Sequence, residues 1–284
     1  MLKKGLIRIA AIFLFIAIIF GIYLLINEIK SRSITELTPV YTYCLRTFND
    51  ADCSLIVQSG TSILIDTGEE QDAERIVEFL KRRKIETFQY LILSSSNKEH
   101  AGGALAILDN FKVDKIILPN YSEQDELMKE INQKCQERSI EVLTPERIQK
   151  FEVRELNFIV FPPMEKAYEL NNDYSLAVLI NHGNIKELFA GDAQSKRIDE
   201  LLAINWKNID MIKVPDHGRY NKGVDKLIKK CSSKFAVVTS DTADKVIWDA
   251  CAESQALLLT TLGSTKAFVS DGKDLKLFKT SGEY

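Results

Sequence analysis

The sequence predicts an α+β domain of four layers, αβ/βα, in which two mixed sheets pack face to face with helices outside. One transmembrane helix is expected to precede it. Three observations carry this reading. Beyond residue 34 each half of the chain is a group of strands followed by alternating helix and strand, and stacking two such halves buries all of their apolar faces. No stretch rich in Pro, Gly or Ser divides the halves. Finally, Ile9 to Ile26 is a run of 18 residues without a charge, flanked by Lys3, Lys4 and Arg8 and then by Lys30 and Arg32. As a helix it rises about 27 Å, close to the thickness of a bilayer's hydrocarbon core.

That run is longer than the apolar part of a secretory signal, and no small-x-small cleavage site follows it in NEIKSRS. The expectation is therefore an uncleaved anchor and linker at 1–33 and one soluble domain at 34–284. The N-terminal basic cluster is slightly the stronger, which places the N-terminus inside and the domain on the extracytoplasmic side of the cell membrane, single-pass.

Along the domain, TPVYTYCLR, CSLIVQS and SILIDTG are short β-branched or aromatic runs separated by turn residues, and read as antiparallel strands. EQDAERIVEFLKRR sets Ala73, Ile76, Val77 and Leu80 on one helical face. YLILSS is a strand, HAGGALAILDNF a helix despite its glycines, and DKIILPN a strand. Ser122 and Asp125 then cap a helix carrying Leu127, Met128, Ile131 and Cys135. The second half repeats the style. FEVRELNFIVFPP, YSLAVLINHG and IKELFAGD read as three strands, with a turn at His182-Gly183-Asn184. AQSKRIDELLAI, VDKLIKKC and ADKVIWDACAE are helices between the strands DMIKVPDHG, KFAVVTS and ALLLTT, and KAFVS and LKLF close the chain.

Composition narrows the function. Without residues 1–32 the chain has 32 basic and 39 acidic residues, a formal charge of −7. That is a poor footprint for tight, sequence-independent nucleic-acid binding, although a local basic groove is compatible with it. Five cysteines, Cys44, Cys53, Cys135, Cys231 and Cys251, show no C-x-x-C spacing and are expected to be buried free thiols. No P-loop, GxSxG or dinucleotide fingerprint is present.

Three places share one pattern: an apolar strand ends and ionisable residues follow at once. They are Ser94–His100 after YLIL, Gly191-Asp192 after ELFA, and Asp216-His217 after MIKVP. Such strand ends converge at one edge of a layered fold. Singly, each has a plain structural account: Asp192 as a helix cap, His100 as a helix-start residue, His217 as a turn residue.

Together they resemble the metallo-β-lactamase superfamily. The residues that carry the likeness are Ser62-Ile63-Leu64-Ile65-Asp66-Thr67-Gly68, His100-Ala101-Gly102-Gly103, Asn171-Asn172-Asp173-Tyr174-Ser175-Leu176, Leu188-Phe189-Ala190-Gly191-Asp192-Ala193 and Val214-Pro215-Asp216-His217-Gly218. Their order is similar to that of the extracellular hydrolase-like domain of ComEC-type competence proteins. Members of the superfamily hold one or two metal ions through an H-x-H/D-x-D-H element. At those positions this chain has Ser95, Asn97, Glu99 and His100, and Arg219 replaces the small residue that usually follows P-H-H-G.

A serine hydroxyl and a neutral amide are weak ligands beside imidazole or carboxylate. The resemblance therefore implies one divalent ion, zinc or manganese, held by Glu99, His100, Asp192 and His217, with Asn97 and Asp216 as further candidates, or else no ion at all. In the ion-free version Lys98, Lys213 and Arg219 are candidates to hold an anion. Two functions follow as expectations. One is a membrane-anchored hydrolase acting on phosphodiesters, a phosphodiesterase or nuclease that uses a metal-activated water. The other is a catalytically inactive relative serving as a membrane-tethered binding or scaffold module. The expected partners are the membrane through the N-terminal helix and, with less support, nucleic acid; no protein partner is legible. Asp66 is expected to orient its turn, His182 to have no role in the chemistry, and Trp206 and Trp248 to pack or line a rim.

Overall fold

A computed structural model of the chain describes residues 16–23, 37–120 and 125–278. The chain divides into two compact units, Met1–Leu37 and Thr38–Tyr284. In the first, residues 16–23 are helical and exposed. The expected membrane anchor lies largely outside the described residues, and among those described no helix is long and apolar enough to cross a membrane.

In the second unit the described strands form two sheets. The first contains β1 (Val40–Cys44), β2 (Ser54–Gln58), β3 (Thr61–Ile65), β4 (Thr87–Ile92), β5 (Lys112–Ile117), β6 (Glu141–Leu143), β14 (Lys266–Ser270) and β15 (Leu275–Phe278), in the order β15-β14-β1-β2-β3-β4-β5-β6. The second contains β7 (Gln149–Val153), β8 (Leu156–Phe161), β9 (Ala177–His182), β10 (Ile185–Phe189), β11 (Met211–Lys213), β12 (Phe235–Val238) and β13 (Leu257–Thr260), in the order β13-β12-β11-β10-β9-β8-β7. Each sheet is antiparallel at one end and parallel at the other: β3 to β6 run parallel, as do β10 to β13.

Parallel neighbours need crossovers, and helices supply them. In the first sheet these are α1 (Ala73–Arg82), the pair α2 (Lys98–Ala101) and α3 (Ala104–Asn110), and α4 (Glu126–Glu137). In the second they are α5 (Ser195–Ala203), α6 (Val224–Cys231) and α7 (Lys245–Ser254). Ile76, Leu80, Ile107, Leu108 and Ile131 pack with Leu64, Leu91 and Ile116 on the outer face of the first sheet. Ile198, Leu201, Leu227, Ile228 and Ile247 pack with Ile212, Ala236 and Val238 on the outer face of the second. Between the sheets lies a third core built from Val40, Ile56, Ile63, Phe158, Val178, Met211 and Val237. Three apolar layers separate four structural ones, as the sequence predicts.

The structure refines several elements. FEVRELNFIVFPP is a hairpin of β7 and β8 rather than one strand, because Arg154 takes a left-handed backbone, φ 57°, at its turn. The HAGG helix is two short helices joined at Gly102-Gly103. Strand β6 was not anticipated; its three residues are too few to show a pattern. The Asp125 side chain caps α4 at the Met128 N–H, 2.9 Å away; Ser122 lies outside the described residues. All five cysteines are buried and free.

Candidate metal centre

The parallel strands place the site. Strands β3, β4, β10, β11 and β12 all end near it, and β2, antiparallel to β3, brings the loop before its start to the same edge. Crevices beyond the carboxyl ends of parallel strands are where α/β folds bind ligands. The strand ends deliver Asp66, Ser94, Asp192 and Lys213, the following turns deliver His100, His217 and Thr239, and the β1–β2 loop delivers Asp52.

Three donors converge: His100, Asp192 and His217, which are 0%, 1% and 2% exposed. His100 Nε2 lies 2.8 Å from Asp192 Oδ2, and His217 Nε2 lies 3.4 Å from Asp192 Oδ1. Beyond one another, both Nε2 atoms and both Asp192 oxygens lack a hydrogen-bond partner, and all four are shut off from solvent. Polar atoms buried in this state are rare and call for an explanation. Four such atoms facing one another suit the donor set of a single divalent cation.

The opposite sides of the imidazoles complete the fit. His100 Nδ1 lies 3.0 Å from Asp66 Oδ2, and His217 Nδ1 lies 3.2 Å from both Asp52 Oδ1 and Thr239 Oγ1. A ring that donates its Nδ1–H to a carboxylate turns the Nε2 lone pair toward the other side, the arrangement that fixes metal-binding histidines. Without an ion these contacts strongly favour charged rings. Burial alone would lower the His100 pKa, but the Asp192 and Asp66 carboxylates hold it well above the ordinary value. Burial is likewise outweighed at His217, where Asp192 and Asp52 push the ring up to about 9. At Asp192 burial favours the neutral acid, yet the two histidines keep its carboxyl well below the ordinary range.

Backbone features hold these groups in place. Asp216, His217 and Gly218 have consecutive left-handed φ values of 48°, 51° and 80°. For two non-glycine residues that is a strained turn, and it carries His217 over the strand end. Gly191, at φ 56°, leaves its carbonyl free to accept from Lys213 Nζ at 3.1 Å and Asp216 N at 3.3 Å. Asp66 itself sits at φ 61°. Its Oδ1 accepts the Ser94 N–H at 2.6 Å and its Oδ2 accepts the Ser94 hydroxyl at 2.7 Å. Beyond orienting its turn, it therefore positions His100.

Not every expected residue joins the centre. Glu99 is half-buried and its carboxylate lies outside the converging donors; its backbone carbonyl accepts from Asp52 N at 3.0 Å. Asn97 donates to Asn172 Oδ1 at 2.6 Å, and Ser95 Oγ accepts the Asn97 N–H at 3.2 Å. Asp216 Oδ2 accepts from Asn221 at 2.6 Å and Gln194 at 3.2 Å. Of the three cations expected at an anion site, Lys213 is buried in an ion pair with Asp52, Arg219 pairs with Asp50 at 2.8 Å, and Lys98 is exposed to solvent. His182 ends β9 at the β9–β10 hairpin turn, as expected. It is buried, 2.8 Å from Ser270 Oγ, and burial lowers its pKa. Trp206 packs on Phe161 while Trp248 is half exposed.

Sequence reading misses Asp52 and names Lys213 only as a candidate to hold an anion, not as the partner of a buried acid. Asp52 lies in the irregular TFNDADC loop, where no pattern marks it. Lys213 did leave a signal: it alternates with Met211 on a strand whose inner face is otherwise apolar, and a lysine there must find a buried acid.

Two facing mixed sheets with helices outside, and a His/Asp cluster at the strand ends, define a hydrolase-like α+β sandwich. The chain belongs to the metallo-β-lactamase superfamily, whose family model matches residues 46–238. It is 27% identical over 192 residues to Recombination protein 2 of Haemophilus influenzae, an alignment covering 66% of this chain and 22% of that protein. It is 22% identical over 167 residues to ComE operon protein 3 of Bacillus subtilis, covering 58% and 21%. The aligned part thus spans about a fifth of each of these relatives. Among solved structures, the metallo-beta-lactamase fold protein YhfI from Bacillus subtilis superposes with a TM-score of 0.59 at 10% identity, covering 82% of this chain and 99% of that one. The ComEC-like resemblance in the sequence therefore holds.

Proposed function

We propose that the chain is a membrane-tethered hydrolase that holds one divalent ion on His100, Asp192 and His217 and cleaves phosphodiesters. The observation that carries this is the set of four buried, unpartnered donor atoms, backed by carboxylates that turn both imidazoles toward one point. When bound, a divalent ion supplies Lewis acidity toward water and a phosphoryl oxygen. The protein's own share is to orient the histidines through Asp66 and Asp52 and to keep the donors out of bulk water. Nucleic acid as substrate is supported by the likeness to a protein named for recombination and opposed by the −7 charge of the domain. Tethering is supported by the uncharged run Ile9 to Ile26.

The test is hydrolysis of bis(p-nitrophenyl) phosphate and of single- and double-stranded DNA with zinc or manganese supplied. Metal-dependent turnover abolished by His100→Ala supports the proposal; the same rate in the variant contradicts it. A second reading, a non-catalytic module, is favoured by the engagement of Ser95 and Asn97 in contacts of their own. It predicts no turnover on any of these substrates and no tightly held ion.

A further inference from the structure

Asp52 and Lys213 are charged residues at the centre that the ligand set leaves unused. We propose that this buried pair is the positioning device of the metal centre, supplying a second positive charge from the protein so that the centre takes one divalent ion and not two. The proposal rests on the single-ion reading above and deepens it.

Lys213 rises from the inter-sheet face of β11. Its Nζ pairs with Asp52 Oδ2, donates to the Gly191 carbonyl at 3.1 Å and lies 3.9 Å from Asp192 Oδ1. Asp52 Oδ1 accepts the Thr239 hydroxyl at 2.5 Å and faces His217 Nδ1 at 3.2 Å, while Oδ2 lies 3.7 Å from His100 Nδ1. One carboxylate therefore faces both ligand histidines. One ammonium braces the residue before Asp192 and stands beside Asp192 itself. Removing the pair takes the charged acceptor from His217 Nδ1, leaves His100 Nδ1 to Asp66 alone among the carboxylates, and loosens the backbone that carries the third ligand.

A second group of close donors, Asp52, Asp66 and His100 Nδ1, resembles another ion site by distance alone. Its atoms are already engaged. Asp66 Oδ1 takes Ser94 N, Asp66 Oδ2 takes Ser94 Oγ and faces His100 Nδ1, Asp52 Oδ1 takes Thr239, and Asp52 Oδ2 takes the Lys213 ammonium. Asp192 differs, because its two oxygens face only the ligand imidazoles, at 2.8 and 3.4 Å, and make no other hydrogen bond. Charge agrees with geometry. Three buried carboxylates and one ammonium, with ligand imidazoles neutral, leave two negative charges, which one divalent ion cancels. A second ion would leave the interior with two uncompensated positive charges, and burying unpaired charge is strongly unfavourable.

The test uses the full chain in detergent, wild type and the double variant Asp52→Asn/Lys213→Met. Lys213→Met alone would strand a buried carboxylate and can simply unfold the protein. Each protein is titrated with Zn²⁺ by calorimetry and with Co²⁺, whose visible absorption reports ligand geometry. Near-UV circular dichroism checks folding. The wild type is expected to take about one ion, and the folded double variant to bind about 10–100-fold more weakly, in the range seen when groups behind metal ligands are removed. Its Co²⁺ spectrum is expected to change. If the double variant does not fold, Asp52→Asn alone carries the same expectation. Two ions in the wild type, or unchanged affinity and spectrum in the folded variant, overturn the proposal. No ion in the wild type overturns the single-ion reading and this inference together; one ion held equally well by both proteins overturns this inference alone.

Discussion

The Nδ1 atom of His100 lies 3.0 Å from Oδ2 of Asp66, with both residues buried. That contact turns the Nε2 lone pair of the ring toward the point that Asp192 and His217 also face. Asp66→Asn keeps the shape and suits the left-handed backbone at φ 61°, since Asn tolerates that region. It removes the charged acceptor. The expected result is a Zn²⁺ affinity lower by about 10–100-fold, measured by calorimetry, in a protein with native circular dichroism.

Glu99 and Asn97 mark the difference between motif and geometry. With its carboxylate outside the converging donors, Glu99→Gln is expected to leave metal affinity within about twofold, well below the loss typical of a ligand or its supporting group. Asn97→Ala loses the 2.6 Å contact with Asn172 and is expected to lower stability by about 1 kcal/mol without changing metal stoichiometry. Chemical denaturation and metal titration of both variants check this.

These two residues also show how far the sequence carries the site. His100, Asp192 and His217 were legible because each follows an apolar strand, and strand ends share an edge. Glu99 was attractive because it occupies the aspartate position of the family element. On a four-residue helix, however, side chains adjacent in sequence point about 100° apart, so His100 faces inward while Glu99 is half-buried away from the donors. Asp52 was invisible because its partners, Lys213, His217 and Thr239, lie in the distant second half of the chain. The layers were legible because period-2 strands and amphipathic helices alternate. The β7–β8 hairpin was not, because its turn lacks Gly, Pro or Asn and rests on Arg154 in a left-handed conformation.

Glu187 gives the fold a pH dependence separate from the metal centre. It points between the sheets, fully buried, with Oε2 unpartnered, and burial lifts its pKa from 4.5 to about 7. A carboxyl with a raised pKa binds its proton more tightly folded than unfolded, so its contribution to stability falls as pH rises from 4.5 through 7. Two to three pKa units correspond to about 3 kcal/mol. Glu187→Gln is therefore expected to flatten the pH dependence over that window and to stabilise the protein at pH near 8 by about 1–3 kcal/mol. Urea unfolding of both proteins across the window reads this; parallel curves would contradict it.

Gly103 supports the centre through space rather than through φ. A Cβ there would overlap the Thr67 carbonyl, on the segment that holds Asp66. Gly103→Ala is expected to destabilise by about 1–3 kcal/mol, the range for overpacked positions, and to weaken metal binding through Asp66. Thermal unfolding with and without Zn²⁺ measures both effects.

The central claim is that His100, Asp192 and His217 still hold one ion. Elemental analysis of the purified chain, loaded with zinc or manganese and then freed of excess metal, tests it most directly. The expected result is about one ion per wild-type chain and less than about 0.1 in His100→Ala, because a three-donor site that loses one ligand no longer competes for metal. A wild-type protein holding less than about 0.1 ion under the same loading contradicts the account, as does a His100→Ala variant that retains its ion.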